Sequence, residues 1–320
     1  MRPAYSYLVF VVAIGCIAAS GSVYLMNLTI IVLLHALPAL GLALLLGYTG
    51  QISLGHAAFY GLGAYLSGIL SRDLVLSPWI TMSIAACLVG LVGWLLGWII
   101  FRLKGHHLAI ATLGFGIIAY VAFVELRTFT GGSVGFIGIP PLSLFGYELT
   151  KDIAFLPVAA AACLAAIAMS SNLVRAPYGY MMRSVADHER AASSVGINVA
   201  SVKRNILVLS AVLSSVGGSL YAHYIGFISP APFNVSFSVK LLLMVAIGGF
   251  SGVWSVLFAV VFITVITEPL QDLGYLDVVV YGLLLVVISI KFPQGLLFGL
   301  FEMARAAWRR VSATRSKAPA

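Results

Sequence analysis

Ser53 and His56 stand three residues apart in Gly47-Tyr48-Thr49-Gly50-Gln51-Ile52-Ser53-Leu54-Gly55-His56, a polar stretch set between apolar runs. On a helix, that spacing puts a hydroxyl and an imidazole on one face, the geometry of an activated nucleophile. Ser53 does not stand in a G-x-S-x-G elbow, and His56 belongs to no H-E-x-x-H pair, so hydrolysis inside the membrane is the minor reading. The larger reading follows from solvation. Irregular polar backbone at membrane depth is tolerated only where protein or a water-filled path covers it. Gly47, Tyr48, Gly50, Gln51, Ser53, Gly55 and His56 are therefore expected to line, or gate, the path of a transported solute. Gly248, Gly249 and Gly252 break a second apolar run in the other half of the chain. Paired glycine-interrupted segments point to a transporter's pathway.

The elements that must carry these residues are membrane helices. Of the 320 residues 61% are hydrophobic and only 9% charged, against about 25% charge in soluble domains. The chain reads as an all-α polytopic membrane protein. Spans are expected over 7–25, 28–46, from the glycine stretch to 70, 79–101, 108–125, 153–170, 206–227 and 276–290. The run 239–266 is divided at its glycines into two shorter halves, giving about ten membrane segments with both termini cytoplasmic. Pro38 is expected to kink the second span. Ser53, Ala57, Gly61, Ala64 and Gly68 form a ridge of small residues suited to close helix approach. The segment 126–152, rich in Gly and Pro, is expected to be an external loop or a partly inserted cap. Cys16, Cys87 and Cys163 fall inside apolar runs and read as small packing residues. The motifs Asn27-Leu28-Thr29 and Asn234-Val235-Ser236 match glycosylation acceptors by pattern alone.

Basic residues fix the orientation. Under this topology fourteen of the 18 Lys and Arg lie inside, and only Arg72, Arg127, Lys151 and Lys240 lie outside. That is the positive-inside pattern. The net charge of +8 then implies anionic lipid and cytosol-facing protein as partners rather than nucleic acid. A single permease domain is expected over 1–300, followed by a basic cytoplasmic tail over 301–320.

Energy must come from outside the chain. All ten acidic residues fall in loops or at span ends, so no carboxylate sits where a proton relay would need one. No phosphate-binding G-x-x-x-x-G-K-[ST] loop occurs either. The chain is thus expected to be no enzyme and to bind no cofactor of its own. The stretch 172–205 is the one large cytoplasmic surface. Within it, 183–195 reads as a short helix closed by Gly196, with Asn198 opening the next segment.

Ala191-Ala192-x-x-x-Gly196, with Glu189 nearby and Arg183 upstream, resembles the loop by which permeases of ABC importers dock onto their ATPase subunits. The acidic residue stands one place earlier than that pattern has it. A more specific resemblance is to the permeases of branched-chain amino acid importers, the M-type subunit in particular. It rests on Gly47-Tyr48-x-Gly50-Gln51-x-Ser53-Leu54-Gly55-His56-Ala57, on Thr130-Gly131-Gly132 with Gly138-Ile139-Pro140, and on Gly196-Ile197-Asn198 with Tyr221-Ala222-His223-Tyr224. It covers roughly residues 30–300. The resemblance implies a bacterial inner-membrane, multi-pass subunit. Its partners would be a second, related permease, two ATP-binding cassette subunits that use the ATP, and a periplasmic solute-binding protein. It also implies alternating access, with no strong substrate site needed in the permease itself. Relatives carrying urea or other small amides or acids leave the solute open. An energy-independent channel is the rival that needs no docking loop.

Overall fold

The computed structural model describes residues 3–101, 106–144, 146–248, 252–268 and 276–291. Gly249, Arg102, Lys104 and the basic tail from 301 lie outside the described residues.

Helix α1 (Pro3–Ala19) ends where the sequence reading had run the first span on to 25. Ser20, Gly21 and Ser22 interrupt it: Ser22 accepts from Leu25 N–H as the N-cap of α2 (Val23–Thr49), satisfying one orphan donor of the first turn. Helix α2 is continuous through the buried Pro38 and stops at Gly50, whose φ of 67° closes the helix in the left-handed region. Then come α3 (His56–Asp73), α4 (Pro78–Ile100) and α5 (His106–Glu125). The segment 126–152 holds α6 (Arg127–Thr130), a 3-10 turn, and strands β1 (Phe136–Ile137), β2 (Ser143–Leu144) and β3 (Tyr147–Glu148). Helix α7 (Asp152–Arg175) leads into α8 (Pro177–Asp187), α9 (Glu189–Ser194) and the long α10 (Val199–Ile225). Strand β4 (Phe227–Ile228) pairs antiparallel with β1, Phe136 opposite Ile228, while β2 and β3 form a hairpin. Helices α11 (Val235–Gly248), α12 (Val253–Thr267) and α13 (Leu276–Lys291) complete the described chain.

The expected coupling stretch is narrower than 172–205, because its flanks belong to α7 and α10. The single helix expected over 183–195 is two, parted at His188, whose backbone is extended at φ −152° and ψ 96°. The break within 239–266 does fall after Gly248, where an added Cβ would lie 2.9 Å from Val256 Cα. That glycine lets α11 and α12 touch backbone to backbone.

At the centre stands α10, packed against α2, α3 and α4. Its contact with α3 is made by small residues. A Cβ at Gly63 would lie 2.3 Å from Ser215 O, and one at Gly218 1.9 Å from Tyr60 O. The Ser219 hydroxyl donates to Gly63 O at 3.0 Å. Such close approach replaces the hydrophobic drive that is absent between helices in lipid. The apolar surface faces outward instead: Trp94, Trp98, Ile110, Ile118, Phe258 and Val265 are all exposed. Among the described residues, five helices are long and apolar enough to cross a membrane (α2, α4, α5 from His107, α7 and α10), and shorter apolar helices accompany them.

Candidate functional site

The glycine stretch is a joint between helices. Past Gly50, the Gln51 N–H still bonds back to Leu45 O at 3.1 Å, and its side-chain amide donates to Thr49 O. Residues 50–55 are non-helical, as the three glycines and the polar residues suggested. Each later position is then tied to a different helix. Leu54 N–H donates to Thr112 Oγ1 of α5 at 3.0 Å. His56 Nε2 lies 2.6 Å from Ser210 Oγ of α10. Ala57 N–H donates to Ser238 Oγ of α11 at 3.0 Å. Gly55 is needed because a Cβ there would sit 3.0 Å from Thr112 O.

Ser53 and His56 are both buried. Ser53 Oγ accepts from Gly55 N–H, and the imidazole is bonded to Ser210 instead of Ser53. The serine–histidine pairing that a hydrolase needs is not assembled. Gln51 is buried too, while Ile52 between them is exposed.

The other end of the joint touches α8. The Arg183 guanidinium lies 5.7 Å from the ring centroid of Tyr48 and 5.9 Å from that of Tyr180, within cation–π range. Gly50 faces Ala186, 3.6 Å from where its Cβ would stand. Gly179, Met182 and Val185 form the buried face of α8, at three-residue steps on one side of a helix. Helix α9 is tied in separately. Lys203 Nζ of α10 donates to Glu189 Oε1 at 2.5 Å, and Lys203 is buried. Ala192 is buried, whereas Arg183, Ala191 and Gly196 are exposed. Gly196, at φ +88°, turns the chain after α9, and Ile197 N–H returns to Ala192 O at 3.1 Å. Asn198 caps α10 by accepting from Ser201 N–H. The residues assigned to the path and to the coupling loop from sequence thus adjoin at one end of the bundle.

Gly47 and Tyr48 also border a small cavity of about 10 Å³ together with Gly252 and Ser170, so both glycine breaks reach it. That volume is barely one water.

At the opposite end of α10, about 40 Å away for a 27-residue helix, the remaining sequence motifs converge. His223 Nδ1 lies 2.8 Å from Pro140 O, and its Nε2 lies 2.8 Å from Ser67 Oγ. Since the carbonyl can only accept, Nδ1 carries the proton and Nε2 accepts from Ser67. Tyr224 Oη donates to Asp152 Oδ1 at 2.9 Å. These bonds pin the segment 126–152 to α3, α7 and α10.

Sequence reasoning missed a second, larger cavity. It encloses about 430 Å³ at this same end, between α2, α3 and α10 to α13. Asn27, His35, Tyr60, Lys240, Thr264 and Glu268 supply its polar lining. They are scattered over four helices and a span end with no common spacing. Lys240, read from sequence as an outside charge, is only 7% exposed.

The apolar helices, polar joint, appended pair of short helices and end cavity make up a polytopic membrane bundle. The family model for the branched-chain amino acid transport system permease component matches residues 24–289, and the chain belongs to that family of ABC transporter permeases. It is 30% identical over 313 residues to the high-affinity branched-chain amino acid transport system permease protein LivM of Escherichia coli, an overlap covering 91% of this chain and 73% of that protein. The same figures hold for LivM of Salmonella typhimurium. A solved structure of PsaBC from Streptococcus pneumoniae in complex with Fab is similar at a TM-score of 0.44, with 16% identity over 84% of this chain and 92% of that one. A likeness so distant carries no weight on its own. Family and apolar helices together make this a multi-pass membrane protein.

Proposed function

We propose that this chain is the membrane-spanning permease subunit of an ATP-driven importer for branched-chain amino acids, in the bacterial inner membrane. Separate ATPase subunits drive it through α8 and α9, a second related permease completes the pathway, and a periplasmic binding protein delivers the solute. The chain holds no cofactor, and the partner subunits use the ATP. The observation that carries this is the double attachment of the α8–α9 surface. Arg183 and Ala186 meet Tyr48 and Gly50 at the polar joint, and Glu189 holds Lys203 on the central helix. A push on α8 and α9 therefore reaches α2 and α10 together. Through Leu54, His56 and Ala57 it also reaches α5, α10 and α11. Residues Gly47 to His56, with Gly248, Gly249 and Gly252, act in this reading as the moving joint beside the path. His56 holds α3 to α10, and Ser53 braces the joint through Gly55 N–H, instead of meeting solute.

The test is co-purification of ATPase subunits together with uptake of labelled leucine in cells. Deleting 183–196 is expected to abolish both. Uptake that survives the deletion would leave an energy-independent channel as the better description.

A further inference from the structure

The 430 Å³ cavity falls in the roughly 300–1,000 Å³ range of small-molecule sites. Its wall holds buried polar atoms with no hydrogen-bond partner among the described residues: His35 Nδ1, Tyr60 Oη, Thr264 Oγ1 and Glu268 Oε2. Tyr60 and Thr264 are each 2% exposed. Buried polar groups are nearly always satisfied, so several orphans on one cavity call for a polar occupant. The charges narrow its chemistry. An ionised Glu268 can only accept hydrogen bonds and Lys240 can only donate. Both line this cavity, with Lys240 Nζ 6.0 Å from the Tyr281 ring centroid. A simple cation would meet the Lys240 ammonium, and a simple anion would meet the Glu268 carboxylate. A net-neutral ligand with one charge of each sign offends neither. Leu28, Ile31 and Phe237 add apolar wall.

We propose that this cavity is a binding station, within this one subunit, for a free zwitterionic amino acid with an aliphatic side chain. Glu268 takes the ammonium group and Lys240 the carboxylate. Tyr60, Thr264 and His35 complete the polar shell, and Leu28, Ile31 and Phe237 hold the side chain. This rests on the permease reading above, and it departs from the expectation that the subunit needs no substrate site of its own.

Ser236 lines the cavity and is half-buried. The full chain with its partner subunits is placed in nanodiscs without ATP, with Cys16, Cys87 and Cys163 replaced and Ser236→Cys introduced. The rate of reaction with a charged thiol reagent is then followed. Saturating leucine is expected to slow labelling about ten-fold. At equal concentration 4-methylpentanoic acid, which lacks the ammonium, and 3-methylbutylamine, which lacks the carboxylate, should leave it within about two-fold. Glu268→Gln should raise the leucine concentration for half-protection about ten-fold, and Glu268→Asp should restore part of it. Absence of leucine protection, or equal protection by the two analogues, overturns the proposal whether or not the variants fold. ATPase co-purification is scored on the same samples. Its failure with protection intact rejects the coupling reading, and the reverse outcome rejects the station alone.

Discussion

Lys203 and Glu189 form an unequal pair. The lysine side chain is 4% exposed and the glutamate side chain 40%, so water can replace one partner and not the other. Removing Glu189 strands a buried ammonium, whereas removing Lys203 leaves a carboxylate that water can solvate. Glu189→Ala is expected to cost about 2–3 kcal/mol and Lys203→Met less than about 1 kcal/mol. Thermal unfolding of the detergent-solubilised protein checks this, and equal losses would contradict the asymmetry. His223 is a second test at this scale. His223→Ala removes the tether between Ser67 and Pro140 O, leaving the part-buried carbonyl unpaired and Ser67 with Thr81 Oγ1 alone. A loss of about 1–3 kcal/mol follows, together with faster proteolysis in the 131–141 segment. Unchanged proteolysis would mean the β1–β4 pairing alone holds that segment.

Among elements, the packing of α10 on α3 is the least forgiving. Gly218→Ala places a Cβ 1.9 Å from Tyr60 O, a backbone atom that cannot move without its helix. A loss of at least about 2 kcal/mol is expected, seen as a reduced monodisperse fraction on gel filtration. Gly114→Ala, where nothing lies within 4 Å of the added carbon, should elute as the unaltered protein does. Most helix limits were legible in the sequence because glycine, proline and charge interrupt apolar runs for reasons that hold in any context. Gly50, Pro78, Gly196 and Asn198 all act at helix ends. The Ser20–Ser22 break was hidden because neither flanking run shows a polar face. The non-helical stretch at 50–55 was legible, but its role was not. His56 and Ser53 carry no mark that says whether they meet water or Ser210 and Gly55. The cavity was the least legible feature. Its polar residues look like single interruptions of apolar spans until the helices are brought together, and Glu268 reads only as the end of a span.

For the molecule as a whole, the two ends of α10 make opposite predictions. Val134, in the segment expected outside, and Val195, after α9, are both strongly exposed. In intact cells an impermeant thiol reagent should label Val134→Cys, and Val195→Cys only after permeabilisation. Labelling of both from one side would reject the arrangement with cytoplasmic α8 and α9. The burial of Lys240 sharpens the charge argument behind it. Among the described residues, the surface cations expected outside are then Arg72, Arg127 and Lys151, and Arg72 is engaged over the Phe136 ring at 4.2 Å.

Helix α3 is buried on nearly every turn and is not among the five helices whose length and apolarity suffice to cross a membrane. Its chief partner α10 begins at Val199, well over a hundred residues after α3 ends at Asp73. At about 5–20 residues per second, α3 leaves the ribosome on the order of ten seconds before the helix that shields it. During biosynthesis it must wait partly shielded, with α4 and α5 against it, or in the keeping of the insertion machinery. A chain stopped short of α10 should therefore be recognised as defective and degraded, although most of its spans would already be in place.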